Sequence, residues 1–244
     1  MAEHEVAKHL KKVYKTWNSK EHSFWEKFRE FGIEVFIIVF AVSLSIWFHN
    51  LSEHRHQQAD VKKFLLGLRS DLKKDLQELR DDKRSYLSQG KAFDYLTRIK
   101  FNESLNNDSL KIYADWFLAL TMFLPSNGRF EGFKSSGRIG NIQEYELQNN
   151  IVDLYQEDMT QLVAITNLYA AQKKSFFAYL DTHKKRLTDS TTNLADILIT
   201  EEARNLYARL NQTSVIVELY DICIGRIKVI VSQIEGKYNL PKEL

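Results

Sequence analysis

From Phe31 to Asn50 the chain reads FGIEVFIIVFAVSLSIWFHN, an apolar run in which Glu34 is the only charge. About 20 such residues is the length a helix needs to cross the hydrocarbon core of a bilayer, and in lipid an isolated segment can satisfy its backbone only as a helix. The pattern predicts one transmembrane helix over 31–50. Trp25 and Phe28 before the run, and Trp47 and Phe48 at its end, stand where aromatic rings collect at membrane interfaces. The run starts late and passes into His49-Asn50-Leu51-Ser52 without a cleavage signature, so it reads as a retained anchor.

Beyond the span, Val61, Leu65, Leu68, Leu72, Leu76 and Leu79 follow in steps of four and three, which is the seam of a packed helix. One helix from near Phe31 to about Tyr86 is expected. Leu110–Leu124 is rich in large apolar residues but short and charged at Lys111 and Asp115, which predicts a buried helix stopped by Pro125-Ser126-Asn127-Gly128. Two later periodic runs, Leu147–Leu187 and Leu206–Ile234, predict further helices, the first starting from about Asn141, with Thr200 as an N-cap ahead of Glu201 and Glu202. Phe101–Ser109 and Asp181–Asn193 read as connections. Ala7–Phe28 carries lysines against a face of Leu10, Val13, Tyr14 and Trp17, the pattern of an amphipathic helix on a membrane surface.

The expected fold class is all-α: one N-terminal transmembrane helix continuing into a long helix and an extracytoplasmic antiparallel helical bundle. The corresponding segments are a cytoplasmic stretch 1–30, the span 31–50 and a bundle domain 51–244.

Composition narrows function mainly by exclusion. Two prolines and nine glycines in 244 residues suit long helices, and a net charge of +2 gives no field for nucleic acid. The single cysteine excludes an internal disulfide, and Cys223 between Ile222 and Ile224 reads as a small buried hydrophobe. Lysines 8, 11, 12, 15, 20 and 27 and Arg29 precede the span, against Arg55, Lys62, Lys63 and Arg69 after it. By the positive-inside rule the N-terminus is cytoplasmic and the bulk of the chain extracytoplasmic. The sequence has no G-x-S-x-G, H-E-x-x-H, P-loop or paired Cys/His spacing. No catalytic residue, cofactor, metal or small-molecule substrate is expected.

Three groups remain as candidates. Glu34 is an ionisable residue about one turn into the span, placed either to pair with Lys27 or Arg29 or to handle protons in an assembly. His49, Glu53 and His56 fall at i, i+4 and i+7, on one helix face at the outer boundary, where imidazoles and a carboxylate can bind zinc, sense pH or, more simply, serve as polar anchors. Arg129, Lys134 and Arg138 lie among the glycines of GRFEGFKSSGRIG, a segment suited to tight turns and, less directly, to an anion.

EVFIIVFAVSLSIWFHNLSEHRH, followed by KKFLLGLRSDLKKDLQELRDD, resembles the start of an uncharacterised family of bacterial single-pass membrane proteins, in which the span ends in an aromatic, an Asn and charged residues. FKSSGRIGNIQEYELQNNIVDLYQE, Phe133–Glu157, is similar to a second segment of that family, where a large residue, Ser-Ser-Gly and an acid-rich helix lead to a Tyr. The likeness covers most of 34–157. It implies a Gram-negative inner-membrane protein with a helical periplasmic domain, and brings no activity. The partners expected are the lipid bilayer and either further copies of the chain or a larger envelope complex, the role being that of a scaffold or accessory subunit. The alternatives are a component of an ion-driven motor or channel using Glu34, and an extracytoplasmic sensor.

Overall fold

The structure, a computed structural model, describes Lys11, Tyr14 and residues 24–100, 103–105, 107–188 and 192–242. The chain is all-α and divides into two compact units, Met1–Ala59 and Asp60–Leu244. The amphipathic segment expected over Ala7–Phe28 falls mostly outside the described residues.

Helix α1, Phe24–Arg98, contributes to both units. Within the first unit it holds a stretch long and apolar enough to cross a membrane, no part of which is buried by the rest of the protein. Phe36, Phe40, Trp47 and Phe48 are all open. At its far end α1 runs to Arg98 rather than stopping near Tyr86, because Ala92, Phe93 and Leu96 carry the buried seam onward.

In the second unit the predicted seam is the core: Val61, Leu65, Leu68, Leu72, Leu76 and Leu79 are all buried. Helix α2 is Asn107–Leu118, α3 is Gly128–Ser135, and a 3-10 turn covers Arg138–Asn141. Then α4, Tyr145–Asp153, passes through a π-helical turn, Leu154–Asp158, into α5, Met159–His183. A short α6, Leu194–Leu198, leads to α7, Glu201–Leu210, and α8, Ser214–Lys237. The Thr200 side chain accepts the Ala203 N–H at 3.2 Å, so this N-cap is where the sequence places it. The run read as one helix over Leu206–Ile234 breaks at Asn211–Thr213, and Thr213 sits buried at the joint.

Directions follow from side-chain register. Arg69, Lys83 and Gly90 of α1 meet Glu235, Asp221 and Thr213, so α8 runs antiparallel to α1, as expected. Tyr86 meets Tyr169 and Phe93 meets Phe176, so α5 runs parallel to α1. A parallel pair needs a return path, and 99–144 provides it. Thr121, Ser126, Arg129, Phe133 and Arg138 contact Tyr86, Asp75, Asp71, Phe64 and Asp60 in turn, going back down α1.

That return path corrects the reading of Leu110–Leu124 as one buried helix. Helix α2 ends at Leu118, and 119–127 is an extended strap with Phe123 turned in while Leu120, Met122 and Leu124 are open. The residue before a proline is held out of the helical region, which explains Leu124; the earlier residues are drawn out by bonds from α1 and α5.

Candidate functional site

Lys173 is fully buried, at the point where α1, α5 and the end of α2 meet. Its ammonium has three donors, and three carbonyl oxygens receive them: Gln89 Oε1 at 2.5 Å, Trp116 O at 3.1 Å and Ala119 O. The last carbonyls of a helix have no partner within it, so Lys173 caps the C-terminus of α2 from another helix. Phe93 and Tyr169 turn their rings toward Nζ at 5.5 and 6.0 Å. Gln89 in turn donates to Ser85 Oγ and Thr121 Oγ1, both at 3.1 Å, and Tyr86 Oη donates to Thr121 O at 2.8 Å.

Burial pushes the Lys173 pKa down to about 7. A buried amine near neutrality is the form a nucleophilic lysine takes. Here all three donors are engaged and the side chain has no exposed surface, so the chemistry of the arrangement is that of a strut fixing the strap.

Three more polar groups tie the bundle together. The Glu235 carboxylate is buried and paired with Arg69 at 2.7 Å and Lys73 at 3.4 Å; burial works upward on its pKa, and the two cations more than offset it and hold it below the usual range. Asp82 accepts from Tyr220 Oη at 3.2 Å, and burial lifts its pKa to about 6 against that bond. At the π turn, Arg226 of α8 pairs with Asp158 and with Asp153 at 3.3 Å, which gives the extra residue of the bulge a partner. Cys223 beside it is buried, its thiol pushed up to about 12 chiefly by burial, so it is an inert core side chain as its neighbours suggested. Tyr155 stacks on Phe130 at 4.5 Å, and its hydroxyl has no hydrogen-bond partner among the described residues.

The candidates read from sequence do not converge. Glu34 lies partly shielded within the apolar stretch. His49 faces Glu53 at 3.8 Å on an open helix surface, His56 is open too, and among the described residues no cluster suited to a metal occurs. Arg129 pairs with Asp71 at 2.7 Å, Arg138 with Asp60 at 3.1 Å, and Lys134 lies over the Phe130 ring at 5.7 Å. Arg129 and Arg138 fasten the return path to α1, and Lys134 covers a ring of its own helix, so the three cations do not face one another.

The glycines near them are not closely packed either. A β-carbon at Gly128, Gly132, Gly137 or Gly140 would meet nothing within 4 Å, and only Gly137, at φ 73°, uses the left-handed region. The close approaches lie at Gly67 against Arg129 and Gly90 against Thr213.

Sequence reasoning passed over Lys173, Gln89 and Glu235. The signal was present: Lys173 occupies the seam step between Tyr169 and Phe176, and Gln89 the step between Tyr86 and Phe93. A polar residue at a seam position marks a buried polar contact.

No protein-family model, curated protein or solved structure matches the chain.

Proposed function

We propose that the protein is a single-pass, bilayer-anchored helical scaffold or accessory subunit of a bacterial envelope complex, acting by association rather than catalysis. Its N-terminus lies in the cytoplasm and the Asp60–Leu244 unit in the periplasm. One contrast carries this reading: the apolar stretch of α1 has no residue buried by protein, while the seam of the second unit is fully covered by its own chain. Exposed apolar surface on that scale needs a lipid or protein partner. The lysine excess ahead of the span supports the orientation. The buried polar groups support a structural role, since Lys173, Glu235 and Arg226 are all engaged in holding helices together.

Extraction of the full chain from native membranes in a mild detergent, with native mass measurement and partner identification, tests the reading. The expected result is a species well above the 28.7 kDa of one chain, either an oligomer or a complex with a stable partner. A monodisperse monomer without partners contradicts it.

A further inference from the structure

Where the chain breaks at Asn211–Thr213 between α7 and α8, it leaves a half-open cleft of about 230 Å³ against α5. Leu168 of α5 and Val215 of α8 stand at its mouth, 54 and 55% exposed, while Tyr169 and Ile216 line it from the buried side. The cleft is preformed. The Tyr169 hydroxyl donates to Leu210 O, the last carbonyl of α7, at 3.1 Å, and Thr213 packs against Gly90 of α1. Little ordering entropy is therefore lost when the cleft fills.

Three polar side chains share the apolar lining: Gln172 of α5, Arg209 of α7 and Gln212 at the joint. None of them makes a side-chain hydrogen bond or ion pair among the described residues, whereas Arg69, Arg129 and Arg226, which fasten the bundle, are all paired. No acidic side chain lines the cleft among the described residues. Helix α8 also begins here without an acidic residue in its first turn, so its positive end adds to the field of Arg209. A guanidinium presents a fork of N–H donors that matches a carboxylate, and each carboxamide adds donors of its own.

Size narrows the occupant further. At ~30 Å³ per water the cleft has room for roughly eight non-hydrogen atoms, and it is smaller than the sites of drug-sized ligands, which start at about 300 Å³. That admits a carboxylate on a short branched hydrocarbon and is too small for a nucleotide or a full-length fatty acid. An ammonium group on the ligand would meet Arg209 with no acidic partner, which selects against amino acids.

We infer that this cleft binds a small aliphatic monocarboxylate, its carboxylate on Arg209 and the carboxamides of Gln172 and Gln212 and its hydrocarbon against Ile165, Leu168, Val215 and Ile216. The inference goes beyond the scaffold reading and does not depend on it.

The test titrates the full chain in lipid nanodiscs with isocaproate and reads saturation-transfer NMR, with empty nanodiscs as the blank. Saturable binding at millimolar concentration or below is expected. Isocaproamide, which lacks the charge, and free leucine, which adds an ammonium, are expected to bind about tenfold or more weakly. Arg209→Gln is expected to cost about tenfold or more with the helical melting transition retained, whereas Lys228→Gln, an open cation elsewhere on α8, changes nothing. If Arg209→Gln does not fold, the comparison of isocaproate with isocaproamide on the wild-type chain decides, together with Val215→Phe, which fills the mouth and is expected to abolish binding. No saturable binding up to tens of millimolar, equal binding of isocaproate and isocaproamide, or unchanged binding by a folded Arg209→Gln or Val215→Phe overturns the site. Leucine binding as tightly as isocaproate overturns the ligand class. Each of these outcomes leaves the scaffold reading standing, because native mass and partner identification test that reading separately.

Discussion

The Arg129 guanidinium occupies the space that a β-carbon on Gly67 would fill, and from there its Nε donates to Asp71, one turn further along α1, at 2.7 Å. The contact brings α3 against α1 and completes the return path.

Because the end of a long side chain can move aside, Gly67→Ala has a mild expected effect. Removing glycine from a helix interior gains about 0.5–1 kcal/mol, and loosening a half-exposed ion pair loses at most about 1 kcal/mol. Gly90→Ala meets the short, branched, buried side chain of Thr213 at the entry to α8, and overpacking of that kind costs about 1–3 kcal/mol. Denaturant unfolding of the two variants is expected to place Gly90→Ala well below Gly67→Ala. The reverse order contradicts the packing described.

Lys173→Met keeps the volume and removes the cap. Three carbonyl oxygens then lose their donor, and even one unsatisfied buried acceptor costs about 1–3 kcal/mol. The variant is expected to unfold earlier, and limited proteolysis should find new cleavage within 117–127. The pH dependence carries a second signature. The folded pKa near 7 lies below the ordinary 10.5, so between them the unfolded chain binds the extra proton. Stability is therefore expected to rise with pH from about 7 toward 10.5, and the methionine variant to lose that slope.

Asp82 works with the opposite sign. Its folded pKa near 6 exceeds the ordinary 3.8, so across that window the folded chain holds a proton that the unfolded chain has released. Stability falls as pH rises from about 4 to 6. Asp82→Asn keeps an acceptor for Tyr220 and removes the charge, and is expected to raise the melting temperature at pH 7 while flattening that acidic limb.

Glu235→Ala takes away the carboxylate shared by Arg69 and Lys73, both largely shielded. Breaking a buried pair from one side costs about 3 kcal/mol or more. An unfolding free energy within about 0.5 kcal/mol of the wild-type chain, the range of ordinary surface substitutions, contradicts the role assigned to Glu235.

Much of the fold was legible because helical periodicity records burial directly. The α1 seam from Val61 to Leu79, the Thr200 cap and the buried Cys223 all lie where residue type and spacing put them. The strap was not legible, because FLALTMFLP has no breaker before Pro125, and what ends α2 is a lysine some fifty residues on that takes its last carbonyls. The parallel pairing of α1 with α5 was hidden for a related reason. Short-range patterning carries no information about the direction of a helix reached through a long connection. The cations at Arg129, Lys134 and Arg138 drew attention as a group by adjacency in sequence, whereas each meets a different residue in space.

Washing native membranes with alkaline carbonate tests the central claim most directly, because it strips peripheral proteins and leaves spanning helices in the bilayer. The full chain is expected to stay with the membrane pellet and to be released only by detergent. Its recovery in the carbonate supernatant would contradict the anchor at 31–50.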